Sequence, residues 1–426
     1  MSAPALAAAR TRARYKVLGM TVALAAITYL DRVCISITAP DMMRDLKLSR
    51  VEMSFVFSAF TLAYGIFEIP TGWWGDKVGT RRVLTRIVLW WSVFTMMTGA
   101  AFSYVSLLLI RFLFGVGEAG AWPNVARTFS RWFPMKERGA AQGTFFMGAH
   151  LAGGLTPLLV AALLGYFHWR VMFAVFGSVG FVWAIAWFRW FRDEPADHPS
   201  VNDAELAYIE AGRHASDSHQ MGRAEWKALL ANRSVLGLCG MYFTQTYGFY
   251  FYITWLPTYL KATRGFSAVS LGIAAGLPLT LSVLADLLGG LTTDRLTARF
   301  GLRIGRASVG GGSLAAAGIF MIAGTLCPQS ILAVVLISLA GAASNFLLGA
   351  AWSTCIEIGG DHTGVVGAAM NTSGQVGGVL SPIVVGLIVQ HFANWNAPLY
   401  ITGVLYLLGA VCWLWINPAR RLAVEG

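Results

Sequence analysis

RFLFGVGEAGAWP, Arg111 to Pro123, lies inside an otherwise apolar span, Leu107 to Phe129, and sets two opposite charges seven residues apart. Seven residues fall about 20° short of two helical turns, so Arg111 and Glu118 share one helical face, ~10 Å apart along the axis. A lone charge near the bilayer centre costs about 3 kcal/mol or more, so such residues face a partner or a water-filled cavity. Asp31 and Arg32 repeat the anomaly in the first hydrophobic span. Four charges inside lipid-crossing helices point to a path for ions or charged solutes; structural ion pairing between helices is the alternative.

The rest of the chain supplies the matching frame. Hydrophobic residues make up 56% of it and charged residues 12%, where a soluble domain carries about 25%; the mean hydropathy is +0.60. Twelve stretches reach the ~20 apolar residues that a crossing helix needs, starting near residues 17, 51, 84, 105, 140, 169, 233, 268, 306, 329, 363 and 396. The expected fold is an all-α membrane protein of twelve transmembrane helices. A net charge of +11 would suggest nucleic acid in a soluble protein, but topology explains it here. Lys and Arg gather at the N-terminus (Arg10, Arg12, Arg14, Lys16) and around 77–86, 127–138 and 295–306, while 101–106, 327–329 and 391–396 carry none. The positive-inside rule then places both termini in the cytoplasm. The first outer loop, 40–52, and the acidic loop 357–362 depart from this pattern without outweighing it. The start of the chain shows no cleavable signal. The five cysteines are scattered without metal spacing and read as small hydrophobes, so no metal and no cofactor is expected.

The long polar stretch from Arg192 to Arg233 divides the spans six and six, giving a first bundle (1–191), a linker (192–232) with a short surface helix from Asn202 or Asp203, and a second bundle (233–426). The halves repeat. Gly72-Trp-Trp-Gly-Asp76-Lys77 after the second span matches Gly290-Leu-Thr-Thr-Asp294-Arg295 after the eighth, 218 residues later. Gly153, Gly154 and Pro157 match the region Gly378 to Pro382, about 225 residues later. Such a repeat implies two pseudo-symmetric six-helix bundles with a site between them. The glycine–aspartate–basic string also reads as gating machinery. Gly72 and Gly75 permit close helix approach, and Asp76 caps the following helix or pairs across the bundle.

GWWGDKVGTRR (Gly72 to Arg82) resembles the loop signature of the major facilitator superfamily. YLDR (Tyr29 to Arg32), RFLFGVGEAGAWP, RWFPMKERGAAQG (Arg131 to Gly143), TWLPTYL (Thr254 to Leu260) and MNTSGQVGG (Met370 to Gly378) resemble its anion:cation symporter family, which includes bacterial galactonate and hexuronate carriers. The resemblance covers essentially the whole chain. It implies that Asp31 and Glu118 carry protons, that Arg32 meets the substrate carboxylate, and that Arg111 pairs with the acidic groups. It places Tyr29, Tyr64, Gln245, Trp352 and Asn371 at or near substrate-contacting positions, and Lys77, Arg81, Asp294 and Arg295 in the gating strings with Gly72 and Asp76. One departure is His150, where the galactonate carrier has an amide; this histidine could contact substrate or titrate. Glu68, one turn from Tyr64 near the inner end of the second span, reads as a functional residue or as a gating or capping group, and Asp286 in the eighth span is a further intramembrane acid with no family motif around it.

Physical chemistry supports the same assignment. An anion entering the membrane needs a fixed cation, and arginine binds carboxylate bidentately without deprotonating. Glu118 sits among Gly115, Gly117 and Gly120, where close packing favours the neutral acid and a nearby Arg111 the carboxylate. The leading expectation is a non-enzymatic, monomeric secondary transporter of a bacterial inner membrane. It imports a small organic anion, a sugar acid, with protons by alternating access. An aromatic-acid or dicarboxylate carrier, an uncoupled exchanger and a transporter-fold ligand sensor are the alternatives. HExxH, GxSxG, a P-loop lysine and clustered Cys/His are all missing from the sequence, which argues against enzyme chemistry and ATP-driven pumping.

Overall fold

The structure is a computed structural model and describes residues 10–210, 231–359 and 363–419. Among these residues the regular elements are helices, grouped as twelve crossings in two bundles of six. The first bundle holds Ala13–Leu46, Arg50–Val78, Thr80–Gly99, a fourth span in two pieces (Tyr104–Glu118 and Ala121–Trp132), Met135–Leu163 and Trp169–Trp190. The second holds Arg233–Thr254 continued by Leu256–Thr263, then Ala268–Leu326, which is two crossings long. It ends with a tenth span in two pieces (Ser330–Phe346 and Leu348–Gly359), Thr363–Phe392 and Asn396–Cys412. Gly301, at φ 82°, turns the chain between the eighth and ninth spans, a backbone state that costs glycine little.

Local chemistry sets the helix starts. The Ser49 hydroxyl accepts from Glu52 N (3.1 Å) while the Glu52 carboxylate accepts from Ser49 N (2.8 Å), a reciprocal cap worth about 1 kcal/mol at the head of the second span. The surroundings of Gly72 and the side chain of Asp76 lie outside the described residues. The cap seen on the third span comes from Asp193, whose carboxylate accepts from Arg81 N (2.9 Å) and the Thr80 hydroxyl (3.0 Å). The linker helix is Asp203–Glu210, and it does not simply ride on the surface. Glu205 is fully buried and accepts from Ala13 N (3.1 Å) and Arg14 Nη1 (3.0 Å), while Arg14 Nε donates to Glu137 (3.0 Å). The linker is thus pinned to the starts of the first and fifth spans, where a buried carboxylate finds its cation.

The bundles meet along two seams: the fifth span packs on the eighth, and the second on the eleventh. These seams are copies of one another, because the glycine–acid string of the second span recurs in the eighth and the Gly153–Pro157 pattern of the fifth recurs in the eleventh. Along the first seam the approach is so close that a Cβ on Gly276 would overlap the carbonyl of Gly154. At the end opposite the chain termini the halves are tied by Val51 N to the Gln390 side chain (3.0 Å) and the Ser58 hydroxyl to Val379 O (2.8 Å). The edge of Phe57 also meets Trp255 there, at 5.5 Å.

Candidate functional site

Glu118 ends the first piece of the fourth span, and the helix restarts at Ala121. The fourth span lies hard against the second: a Cβ on Gly115 would run into the carbonyl of Phe60. A helix broken at membrane depth frees backbone and side-chain polar groups where they line a site rather than lipid. The fully buried Glu118 Oε1 accepts from Arg32 Nε (2.9 Å) and also from Arg32 Nη2. Rings of Tyr29, Phe60, Tyr64 and Trp122 surround that guanidinium at 5.1–5.9 Å. The pair therefore combines charge-assisted hydrogen bonds with cation–π contact in a nearly water-free box.

Asp31 and Arg111 complete the layer. Both are buried, and both are electrostatic neighbours of Glu118 and of each other. Among the described residues neither Asp31 oxygen, nor Arg111 Nε and Nη1, nor Glu118 Oε2 makes a hydrogen bond. The Arg111 guanidinium rests instead on Phe114 (4.2 Å) and Phe60 (5.4 Å). Each buried unsatisfied group costs about 1–3 kcal/mol, so this arrangement is poor for stability. The seven-residue spacing puts Arg111 and Glu118 on one face, yet Glu118 takes its hydrogen bonds from Arg32 of the facing first span.

The second bundle contributes a neutral chain. Gln245 Nε2 donates to Asn345 Oδ1 (2.9 Å), Asn345 Nδ2 to the Ser282 hydroxyl (2.7 Å), and the Thr246 hydroxyl to Gln245 (3.2 Å). Asn345 stands at the end of the first piece of the tenth span, as Glu118 does in the fourth. Sequence reading picked out Gln245 but neither Asn345 nor Ser282. Of the aromatic run after Gln245, Tyr250 is an electrostatic neighbour of Arg32 and Phe249 lies 6.5 Å from His150, whereas the Tyr252 hydroxyl turns away to Ile337 O (2.9 Å).

Two more pairs bridge the seams. Asn371 Nδ2 donates to Glu68 Oε2 (2.8 Å), and His150 Nδ1 meets Asp286 Oδ2 (2.5 Å). Trp352 is not drawn into the charged layer: it is 40% exposed and packs edge-on against Tyr242. Among the gating candidates, exposed Lys77 lies over the Trp73 ring (4.1 Å), and Arg81 donates to Phe188 O (2.9 Å) within its own bundle. Asp294 and Arg295 are exposed. Arg306, absent from the sequence-based candidates, stands 3.8 Å from Asp294 and 2.7 Å from Glu357.

The family model of the Major Facilitator Superfamily matches residues 21–382. The chain belongs to the major facilitator superfamily. It is 36% identical over 412 residues to a probable sulfoacetate transporter of Cupriavidus necator, covering 96% of this chain and 95% of that one. It is 32% identical to a probable galactarate/D-glucarate transporter of Bacillus subtilis, covering 98% and 94%. A D-galactonate transporter of Escherichia coli is 29% identical, with 97% and 98% covered. In fold it matches a crystal structure of a bacterial homolog of the human lysosomal transporter Spinster, inward-facing and occupied. That match has a TM-score of 0.75 at 19% identity and covers 94% of this chain and 96% of that one. The protein is thus a multi-pass membrane transporter of the major facilitator superfamily and not an enzyme, and its relatives carry small acids.

Proposed function

We propose that this transporter accumulates a small organic anion of the sugar-acid type by proton symport, with Arg32 as the anion anchor and Glu118 as the principal proton carrier. The observation that carries the reading is the buried Arg32–Glu118 pair at the break of the fourth span. An incoming carboxylate competes with Glu118 for the same guanidinium fork. Glu118, displaced into a water-poor layer, is then stabilised by taking a proton. One anion and one proton enter together, and the layer keeps its net charge. Asp31 and Arg111 hold that charge in place: their unpaired polar atoms give Glu118 and Arg32 somewhere to turn when the pair opens. Tyr29, Tyr64 and the amides Gln245, Asn345 and Asn371 offer neutral hydrogen bonds to substrate hydroxyls.

In this cycle the two bundles, 1–191 and 233–426, rock about the paired seams, with the strings around Gly72–Arg81 and Asp294–Arg295 moving at the termini side. The basic loops favour cytoplasmic termini in a bacterial inner membrane, with the chain acting as a monomer. The test is uptake into proteoliposomes under an inward proton gradient. Glu118→Gln is expected to abolish gradient-driven accumulation while leaving counterflow exchange of the same anion. Full accumulation by Glu118→Gln would remove Glu118 from the proton path. Wild-type uptake indifferent to an uncoupler would replace symport by exchange.

A further inference from the structure

Asp286 follows Glu68 by 218 residues, the same step that carries Gly72 to Gly290, so the two acids are repeat counterparts on the second and eighth spans. Each reaches across its seam to a side chain of the opposite bundle: Glu68 to Asn371, Asp286 to His150. The copies have diverged in the length of the acid and, more consequentially, in its partner. The amide cannot carry charge, whereas the imidazole can.

The second couple has hydrogen-bonding capacity left over on both partners. Asp286 Oδ1 is buried without a hydrogen bond, and among the described residues His150 bonds through Nδ1 alone. An ionised Asp286 only accepts, so Nδ1 is the donor and Nε2 is left for a further partner. His150 meets the Tyr29 ring edge-on at 5.9 Å, and the guanidinium of Arg32 lies 5.6 Å from that same ring. The imidazole and guanidinium centres are therefore no farther apart than these distances laid end to end. That is within reach of a short substrate taking a hydrogen bond of about 2.8 Å at either end. Arg32, Glu118, Tyr250 and Asp286 are electrostatic neighbours of Tyr29, as is Tyr242.

We propose that His150 and Asp286 form a second anion site, which receives the far acidic group of a substrate carrying two of them, a dicarboxylate or a sulfonated carboxylate. The proposal rests on the transport reading above and narrows its substrate class. The imidazolium presents Nε2–H to the incoming group, and Asp286, losing its share of the cation, takes a proton. The second acidic group thus enters with a second proton, as the first does at Arg32 and Glu118, and the charge of the layer is again unchanged. A monoacid fills the Arg32 end alone and leaves the His150–Asp286 couple closed.

The experiment measures uptake of galactarate, sulfoacetate and galactonate into proteoliposomes under one proton gradient, and reads the ratio of two-acid to one-acid uptake. Wild type is expected to favour the two-acid substrates. His150→Gln should lower the ratio roughly tenfold or more, the loss of one charge-assisted hydrogen bond, whereas His150→Arg, which keeps a cation, should retain it. Asp286→Asn should still exchange galactarate but concentrate it less steeply, with one proton per anion in place of two. An unchanged ratio in His150→Gln, or losses of one-acid and two-acid uptake in equal proportion across the variants, would overturn the assignment. Wild type accumulating none of the three would bring down the transport reading and this proposal with it. That result is distinct from intact accumulation with an unaltered preference, which removes only the second site.

Discussion

At the break of the fourth span Glu118 meets Arg32 of the first span; at the break of the tenth, Asn345 meets Gln245 of the seventh. The two half-molecules place a hydrogen-bonded pair at the same station of the fold, one ionised and one neutral. An ionised pair in a bilayer interior is expensive and strongly responsive: any proton or anion that reaches it changes which partner is satisfied. A neutral amide pair costs far less and keeps its charge whatever binds. If Arg32 and Glu118 act as proposed, these two stations divide the labour: the ionised one handles charge, and the amide one handles shape and hydroxyl recognition.

The harshest way to break this comparison is to make the first half resemble the second. Arg32→Gln leaves Glu118 buried without its cation, a loss of about 3–5 kcal/mol while the carboxylate stays ionised. Thermal unfolding in detergent should record that loss, and both gradient-driven uptake and counterflow should fall by roughly a hundredfold or more. Adding Glu118→Gln to Arg32→Gln gives two amides at the station, as in the second half. The double variant should regain most of the stability and none of the transport. Recovered transport would mean that charge in the first half is structural and that the division of labour is wrong.

This asymmetry was only half legible in the sequence. Asp31, Arg32, Arg111 and Glu118 stood out because charge is rare and costly inside an apolar helix, so each one asks for an explanation. The twelve crossings and the two repeats were readable for the same reason: hydropathy and glycine strings are local signals. Asn345 and Ser282 were not readable, because amides and hydroxyls sit in membrane helices at little cost and a helical Ser or Thr commonly bonds its own backbone. The pairing of Glu118 with Arg32 rather than with Arg111 depends on how the first span faces the fourth, which no spacing along one helix encodes. Nor could the docking of Glu205 on Arg14 be foreseen, since a mixed-charge segment reads as solvated until its partner, 191 residues earlier, is known.

A milder test acts on the neutral station. Gln245→Ala removes the donor to Asn345 and leaves a buried amide oxygen unsatisfied, about 1–3 kcal/mol. If this amide station recognises hydroxyls without touching protons, KM for the anion should rise roughly tenfold while the pH dependence of flux keeps its shape. A shifted pH profile in Gln245→Ala would tie the amide chain to the proton path and erase the distinction between the halves.

The smallest expected effect sharpens the comparison most, because it separates orientation from charge. Ser282 receives the Asn345 Nδ2 proton at 2.7 Å and passes its own to Pro278 O at 2.8 Å, so the hydroxyl fixes which way the Asn345 amide points: oxygen toward Gln245, nitrogen toward the eighth span. Ser282→Ala deletes that reference and lets the amide turn over. Gln245 is an amide too, and it can present either of its own ends in reply, so the pair re-forms with its polarity reversed. The loss should therefore stay near the bottom of the range for a single hydrogen bond, about 0.5–1 kcal/mol, or roughly two- to fivefold in KM. The first half has no such freedom. A guanidinium only donates and a carboxylate only accepts, so Arg32 and Glu118 cannot exchange roles, and the pair opens only when a proton or another anion takes the vacated place. A Ser282→Ala effect as large as that of Arg32→Gln would show that the neutral station is as rigidly polarised as the charged one.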